Sequence, residues 1–278
     1  MRFIYENWER FCVQLAEVNR RSIPAKEVFT EETCRHYIVL KHDVETCVKK
    51  AYRIALIESK YGHRGSYYVQ AYLLNSKHNV KLLNKMKQMG HEISYHYDVM
   101  DSNQGKIDPA ILEFEKNREC FEHCGFSIVT VCQHGNPIVE RKGYSSNRDF
   151  FRNKKVQERY PFLTDIMVDF PMKSGTTYNY YSDAGRVFKK IYDPLNNDIV
   201  NSDDKNVEFA NLDDLFANLM DEENQIISIH PHRWTKLKII HSTKQMLFVC
   251  IKNVTKKLIK IPFLKKIISK FYYLAKKI

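Results

Sequence analysis

Residues 37–45 read YIVLKHDVE, and this stretch decides the fold prediction. Its first five residues, four apolar ones and a lysine, are typical of a buried strand, and its last four are mostly polar. Residues 47–61 then place apolar side chains at helical spacing and end before Gly62, a residue suited to a helix C-cap. A buried strand followed by an amphipathic helix is the repeating unit of parallel α/β proteins.

The same unit recurs along the chain, with less definition between residues 141 and 159. Strands are predicted at 66–70, 92–95, 126–132, 165–169, 177–181 and 225–229, and helices at 78–89, 111–124 and from the cap Asn211 through Met220. Six or seven strands with intervening helices favour an α/β fold, specifically an incomplete (β/α) barrel of about seven strands. Such a fold carries its catalytic groups at the C-terminal ends of the strands.

Positive charge is concentrated at the end of the chain. The formal net charge is +11, yet residues 235–278 hold twelve lysines with no arginine and no acidic residue, so residues 1–234 are about neutral. We therefore predict two parts, a β/α domain at 1–234 and a basic tail at 235–278. A nucleic-acid partner is not expected, because the tail lacks arginine and its apolar residues form a continuous stripe.

The tail has the pattern of two amphipathic helices. Apolar residues fall at helical spacing, with lysines between them, over 246–260 and again over 264–278, and Pro262 separates the two segments. This pattern predicts helices that bind an anionic membrane surface. The alternative is a helix that packs on the domain and leaves its lysines in solvent.

Cysteine usage and hydropathy indicate the compartment. The seven cysteines are odd in number and lack the paired spacing of a zinc or disulfide framework, so they are expected to be reduced. The first residues contain no apolar run of signal-peptide length, and no segment reaches the roughly 18 uncharged apolar residues of a spanning helix. We expect a cytoplasmic protein that attaches peripherally to the inner face of a membrane.

Four histidine-bearing clusters carry the candidate chemistry, and they lie at or next to strand ends: 42–45 (HDVE), 90–98 (GHEISYHYD), 133–137 (QHGNP) and 230–234 (HPHRW). The two carboxylates of 42–45 can bind a divalent cation and supply a general base. They also suit a helix N-cap with an acid in its first turn. In the second cluster His96, at the strand end, is the better ligand candidate, and His91 is expected on the opposite face in a structural role.

At these residues the sequence resembles the polysaccharide deacetylases (carbohydrate esterase family four-like). It is most similar to the divergent branch found in surface-polysaccharide and O-antigen gene clusters. The signature of that branch runs HDVD, GHEIGxH, SDSGxxW and HPxxW, and the matching stretches here are 42–45, 90–96, 182–186 and 230–234. The resemblance covers roughly residues 37–234, with the motifs in order.

The resemblance implies a metal-dependent hydrolase that removes an N-acetyl, less often O-acetyl, group from a sugar of a surface polysaccharide or its precursor. It implies Asp43 as the general base and His230 as the acid that protonates the departing amine. Asp183 and Arg186 would orient these groups. Because Glu45 replaces an aspartate of the signature, the roles of base and metal ligand remain interchangeable between the two carboxylates.

The metal implied is a divalent ion, with zinc favoured, held by Glu45 and His96. The main family has a second ligand histidine four residues after the first, where this chain has Met100. His134, with Asp98 behind it, is the candidate that completes the ligand set.

Substrate contacts are expected from Trp234, Tyr97 and His232. Trp234 can stack on the apolar face of a sugar ring, although a buried core tryptophan is the commoner alternative.

Two other functions compete with the deacetylase. One is a non-catalytic glycan-binding or assembly protein with the same fold at the membrane, and the other is a metal phosphoesterase. A phosphoesterase would be expected to carry more aspartates and an arginine clamp at the strand ends. Metal content separates the enzyme from the non-catalytic protein.

Overall fold

The computed structural model describes residues 3–30, 36–136, 139–195, 207–219 and 223–258. These residues form a mixed α/β fold, as the alternation of strand and helix patterns predicts. The described strands are β1 Ile38–Val44, β2 Gly65–Val69, β3 Glu92–Tyr97, β4 Thr130–Gln133, β5 Thr164–Asp165, β6 Asn179–Ser182, β7 Phe188–Ile191, β8 Val207–Phe209 and β9 Gln225–Ile229.

One sheet contains all of these strands, in the order β5-β4-β3-β2-β1-β9-β6-β7-β8. Every pairing from β5 to β6 is parallel, which makes seven parallel strands. The short strands β7 and β8 add two antiparallel pairings at one edge, and neither was predicted from the sequence. β1 lies near the centre with parallel neighbours on both sides, and all seven of its residues are buried.

Helices flank the sheet. They are α1 Tyr5–Glu17, α2 Val48–Lys60, α3 Lys77–Gln88, α4 Val99–Ser102, α5 Ile107–His123, α6 Asp149–Arg152, α7 Lys154–Arg159, α8 Phe170–Ser174, α9 Leu212–Asn218 and α10 Lys238–Leu258. Short 3-10 turns occur at Ala25–Phe29, Ala71–Asn75, Ala184–Arg186 and Pro231–Arg233. Asn211 caps α9 as predicted, because its side chain accepts hydrogen bonds from the backbone N–H groups of Asp213 and Asp214.

The two faces of the sheet carry different cores. The larger core lies under α1, α2, α3 and α5 and includes Leu40 and Val44 from β1. The opposite face has a smaller apolar cluster with Val39, beside which the polar residues Lys41 and Asp43 are also buried. Successive residues of a strand point to opposite faces, so the alternation in β1 sends its charged side chains to the second face.

The sheet curls strongly toward this second face. Tyr178, just before β6, donates a hydrogen bond from its hydroxyl to the carbonyl of Ile166, just after β5, at 3.2 Å. In a flat sheet six strand spacings of about 4.8 Å would hold β5 and β6 roughly 29 Å apart. Among the described residues no strand pairing joins β5 to β6, so the sheet is curved but not closed.

The basic tail begins with α10, which starts at Lys238, earlier than the helix predicted over 246–260. The second predicted tail helix, 264–278, lies outside the described residues. Within the parts of the chain that the structure covers, no helix combines the length and apolar character needed to cross a bilayer. Several apolar side chains of α10 face solvent, including Ile239 (79% exposed) and Met246 (71% exposed).

Residues 3–5 are hydrogen-bonded to Thr235 and His241. Ile4 and Thr235 form a parallel bridge, in which the N–H of Thr235 donates to the carbonyl of Phe3 and the N–H of Tyr5 donates to the carbonyl of Thr235, both at 3.0 Å. The N–H of Phe3 also donates to Nδ1 of His241 in α10, at 3.3 Å. The six described cysteines are free thiols, as predicted, and Cys34 lies outside the described residues.

Candidate metal centre

Polar side chains from several strand ends meet on the concave face of the sheet. Because all these strands are parallel, their C-terminal ends lie at one edge, and the curvature brings their side chains together. The residues are Asp43 at the end of β1, Glu45 just beyond it, His96 near the end of β3, His134 after β4, Asp183 after β6 and His230 after β9.

Glu45, His96 and His134 form a buried donor set. One carboxylate oxygen and one nitrogen from each histidine lie within 4.8 Å of one another. Oε1 of Glu45 is 3.4 Å from Nε2 of His134. These are the three residues to which the sequence analysis assigned the metal, and the structure brings them together in a geometry that can hold an ion.

His96 is oriented as a ligand by its second ring nitrogen. Nδ1 donates a hydrogen bond to the carbonyl oxygen of Cys132 at 3.1 Å, which leaves the lone pair of Nε2 available. Burial lowers the pKa of His96 to about 3, and the nearby charge of Asp43 opposes that effect only in part. The ring is therefore neutral near pH 7, the state in which histidine binds metals.

His134 is positioned by its backbone and by a carboxylate. Its N–H donates to the carbonyl of Tyr97 at 2.7 Å, which continues the pairing of β4 with β3 beyond the strand. Its own carbonyl accepts a hydrogen bond from the side chain of Asn147 at 2.8 Å. Oδ2 of Asp98 lies 3.9 Å from Nδ1, so this carboxylate stands behind the ring, on the side away from Glu45. At 3.9 Å the two atoms are too far apart for a direct hydrogen bond, so Asp98 acts on His134 through its negative charge.

Asp43, His96 and Cys132 form a second group of donors within 4.8 Å. It suits a metal less well, because both oxygens of Asp43 already accept hydrogen bonds from Lys41 and burial raises the pKa of the Cys132 thiol well above its usual range. Two histidines and one carboxylate, by contrast, are a ligand set of known catalytic zinc sites. The donors of the first group thus fit a divalent transition metal.

Lys41 is a member of the candidate site that sequence reasoning missed. Only 1% of its surface is exposed, and Nζ lies 2.5 and 2.7 Å from the two oxygens of Asp43 and 3.3 Å from Oγ of Ser228. Burial alone would raise the pKa of Asp43, but Lys41, His96 and His230 outweigh that effect and lower it. The sequence did contain a signal for it, namely a lysine inside an otherwise apolar strand. Because lysine is almost never buried without a partner, such a residue indicates a buried carboxylate nearby.

His230 is held by Asp183. Its Nδ1 donates to Oδ1 of Asp183 at 2.5 Å, and its backbone N–H donates to Oδ2 at 3.0 Å. Nε2 then faces the two carboxylates of the β1 end, 3.7 Å from Asp43 and 3.8 Å from Glu45. Burial opposes ionisation of Asp183, yet the charges of Arg233 and His230 hold its pKa far below the usual range.

Arg186 does not have the orienting role that was expected. Arg233 takes that place, because its Nη1 donates to Oδ1 of Asp183 at 2.7 Å. The guanidinium of Arg186 lies instead over the ring of Phe248 in α10, 4.6 Å from the centroid. Arg233 is part of the HPHRW cluster, but the sequence offered no ground for preferring it over Arg186.

Two of the expected substrate contacts are wrong. Trp234 is fully buried and packs edge-on against Phe3 and Trp8, because α1, an element not predicted from the sequence, covers it. Tyr97 is fully buried on the face opposite His96, where its hydroxyl donates to Asp165.

His232 remains a candidate for substrate binding. It is partly exposed, and the centroid of its ring lies 5.8 Å from that of His230. Burial lowers its pKa to about 3, against an opposing effect from Glu45, so the ring is neutral near pH 7.

His42 belongs to the helix side of the sheet, although it adjoins Asp43 in sequence. It stacks on Tyr67 and lies 2.9 Å from Oε1 of Glu58, a fully buried carboxylate of α2. Glu58 also accepts hydrogen bonds from Trp8 Nε1 at 3.1 Å and from the Tyr67 hydroxyl at 2.7 Å. His91 lies on this side too, 3.8 Å from Glu58, in the structural role that its position indicated.

No model of a protein family, no curated protein and no solved structure matches this chain. Function is therefore inferred from the residues of this chain and their geometry. The donor set and its flanking acid and base candidates are the observations that bear on it.

Proposed function

We propose that the protein is a metal-dependent deacetylase that hydrolyses an N-acetyl or O-acetyl group on a sugar of a surface polysaccharide or its precursor. The observation that carries the proposal is the buried set of Glu45, His96 and His134 beside Asp43 and the Asp183-held His230. In this proposal the seven parallel strands act as an incomplete barrel around the site, and the ion is zinc.

Glu45, His96 and His134 would hold the ion. A zinc ion bound there supplies Lewis acidity, which polarises an acetyl carbonyl and lowers the pKa of water toward about 7. The chain contributes neutral imidazoles and one carboxylate, together with a buried setting in which these groups keep their orientation.

Asp43 would act as the general base. It is anionic, because the adjacent ammonium group of Lys41 favours its charged form over the cost of burial. Lys41 contacts both of its oxygens and thus fixes the plane of the carboxylate. A fixed anionic carboxylate beside the donor set can accept the proton that water releases when it attacks the acetyl carbon.

His230 would act as the general acid. Asp183 accepts the Nδ1 hydrogen, so the second nitrogen of the ring points toward Asp43 and Glu45. When that nitrogen carries a proton, Asp183 stabilises the resulting imidazolium, and the proton can pass to the departing amine. Asp183 thus has the orienting role of the aspartate in a histidine-dependent hydrolase.

The same proposal places the protein in the cytoplasm, with its tail at the inner face of a membrane. Apolar side chains of α10 remain exposed, among them Ile239, Met246 and Val254. Lysines lie between them, and residues 235–278 contain no acidic residue. Exposed apolar groups interleaved with lysines support binding to an anionic lipid surface.

The test measures metal content and acetate release in the full chain and three variants. We expect about one divalent ion per wild-type chain and loss of that ion in His96→Ala. His230→Ala should keep the ion and release acetate from N-acetylated sugars about 10²- to 10⁴-fold more slowly, since a positioned acid contributes that much. His78→Ala, an exposed histidine of α3, is the matched control and should change neither quantity.

Two results would count against the proposal. A folded His96→Ala protein with unchanged metal content would show that His96 is not a metal ligand. Bound metal without acetate release from any N- or O-acetylated sugar would favour the non-catalytic glycan-binding protein.

A further inference from the structure

Positive charge collects on one side of the candidate metal centre. Lys50 of α2, Arg186 after β6, Arg233 after β9 and Lys244 of α10 all lie there. Of these four cations only Arg233 forms an ion pair with a carboxylate within the described residues, that of Asp183. Asp183 also acts on Arg186 at longer range, but among the described residues Lys50, Arg186 and Lys244 form no ion pair with a carboxylate, so positive charge is in excess in this region.

Arg186 is the most unusual member of this group. Only 6% of the residue is exposed, and Nη1 is buried with no hydrogen-bond partner in the described structure. The backbone reaches this position through two consecutive left-handed residues, Gly185 at φ 75° and Arg186 at φ 64°. A non-glycine residue in that region is strained, and such strain concentrates at functional sites. A buried guanidinium nitrogen without an acceptor calls for a ligand oxygen.

His232, in the turn after β9, contributes a second buried polar atom without a hydrogen-bond partner. Nδ1 of His232 is buried and has no hydrogen-bond partner among the described residues. Nζ of Lys50 donates to the backbone carbonyl of this same His232 at 2.5 Å, which ties α2 to the turn that follows β9. Because the rings of His232 and His230 are 5.8 Å apart, the cationic region adjoins the proposed general acid.

The electrostatics agree with an excess of positive charge in this region. Burial, followed by repulsion from Lys244 and Arg186, lowers the pKa of Lys50 to about 8, although Cys47 opposes this. Burial and the charge of Arg186 also lower the pKa of Lys244. In addition, α2 has 13 residues, and its N-cap residue Cys47 makes no side-chain hydrogen bond to the first turn. The positive end of the helix dipole is thus available to an anion.

We propose that Arg186, Lys50 and Lys244 form a subsite for a phosphate group of the substrate. This inference rests on the proposed function and names its substrate class: the acetylated sugar is a phosphate ester, such as a sugar 1-phosphate or a diphosphate-linked sugar, rather than a neutral polysaccharide. Arginine donors match the geometry of phosphate oxygens, and lysines add charge. The phosphate would fix the sugar so that its acetyl group reaches the donor set.

The test is titration calorimetry on the full-chain, metal-loaded protein with N-acetylglucosamine 1-phosphate and with neutral N-acetylglucosamine. The phosphate ester should bind the wild type at least about tenfold more tightly than the neutral sugar. Arg186→Gln and Lys50→Gln should each weaken binding of the ester by about tenfold or more, with little effect on the neutral sugar. Lys49→Gln is the matched control, since Lys49 adjoins Lys50 on α2 but is exposed, and it should bind like the wild type.

Three results would overturn the inference. The first is equal affinity of the wild type for the two sugars, and the second is an equal loss in Lys49→Gln and Lys50→Gln, which would indicate unspecific attraction. The third comes from vesicles of phosphatidylglycerol: if Arg186→Gln weakens vesicle binding but leaves the sugar phosphate unaffected, the cations serve a lipid headgroup. If Arg186→Gln does not fold, the comparison of Lys50→Gln with Lys49→Gln still tests the inference.

The binding assay does not depend on turnover. Phosphate binding that requires Arg186 and Lys50, in a protein that releases no acetate, would support the subsite while removing the proposed hydrolysis. Acetate release together with equal affinity for both sugars would support the proposed hydrolysis and remove the phosphate subsite.

Discussion

Lys41 and Asp43 are two positions apart on β1, so the pleat of the strand sends both side chains to the concave face. Each is nearly inaccessible to solvent, and each is the main charge partner of the other. Removal of one member leaves an uncompensated buried charge, whereas removal of both leaves none. The pair therefore has a stability effect that is separate from any role of Asp43 in catalysis.

The first prediction is a double-mutant cycle on this pair. Lys41→Met and Asp43→Asn should each lower the free energy of unfolding by about 3 kcal/mol or more, and the double variant should lose less than the sum of the two. Urea unfolding at neutral pH measures all four proteins. Additive losses would show that the two charges are not coupled.

The same pair gives a pH dependence with a defined sign. The pKa of Asp43 is lower in the folded protein than its ordinary value, so its ionisation stabilises the fold above the unfolded-state pKa of about 3.9. That contribution is lost as the pH falls through the lowered folded-state pKa. The double variant should lack this part of the acid transition.

Several residues of the site were predictable, and others were not. Glu45, His96 and His134 could be grouped because parallel strands place their C-terminal ends at one edge. Lys41 was overlooked because it was counted as part of an apolar strand. The pairing of Asp183 with Arg233 depends on the conformation of two loops, which spacing along the chain does not specify.

At the scale of single elements, α2 shows how a helix stabilises the sheet from the face opposite the candidate metal centre. Its residue Glu58 is fully buried beneath β1 and β2, where Trp8, Tyr67 and His42 contact the carboxylate. Burial would raise the pKa of Glu58, but His42, His91 and the Tyr67 hydrogen bond together lower it. The carboxylate is thus ionised and shared by a helix, two strands and α1.

The second prediction concerns this carboxylate. Glu58→Gln should lower the free energy of unfolding by about 3 kcal/mol near pH 7, because buried partners lose their common anion. The contribution of Glu58 is present above its unfolded-state pKa of about 4.3 and is lost as the pH falls through the lowered folded-state pKa, so the difference from the wild type should shrink in acid. Chemical denaturation over a pH series provides the measurement.

Glu122→Gln is the matched control for that experiment. Glu122 makes an i,i+4 ion pair with Arg118 on α5, and its side chain is 46% exposed, so its loss should cost less than about 1 kcal/mol at any pH. Equal effects of the two substitutions would mean that the buried network adds nothing to stability.

Strands and helices were predicted correctly where the sequence followed either the strand or the helix periodicity without ambiguity. The strand predicted at 225–229 coincides with β9, and the helix predicted at 47–61 differs from α2 by one residue at each end. β1 was predicted too short, because its polar end at His42 and Asp43 departs from the apolar pattern while pairing with β2 and β9 continues. The helix α1 was not predicted, although its buried residues follow helical spacing: Trp8, Phe11, Cys12 and Leu15.

At the scale of the whole molecule, charge is segregated along the chain. The domain is about neutral, and the twelve lysines of residues 235–278 are divided equally between the described part of the tail and residues 259–278. α10 contacts the domain through His241 and Phe248, while much of its apolar surface remains exposed. The α/β class follows from the alternating patterns, but the edge strands β7 and β8 are too short to be recognised by periodicity.

The third prediction tests membrane binding by the tail. The full chain should co-sediment with vesicles that contain phosphatidylglycerol, and a chain ending at Leu258 should bind more weakly, because it lacks six lysines worth about 1 kcal/mol each near an anionic surface. Binding should fall as salt rises, since the attraction decays within a Debye length. Neutral phosphatidylcholine vesicles are the control. Equal sedimentation of the two chains would contradict the prediction.

The bridge between Ile4 and Thr235 has a consequence for chain order. The first and last parts of the domain are hydrogen-bonded neighbours, so a short peptide could connect them directly without crossing the fold. New ends could then be opened in the exposed turn at Lys142 and Gly143. A circular permutant of this kind should keep the same strand order in the sheet, because proximity of a domain's ends is the condition under which such rearrangements are tolerated.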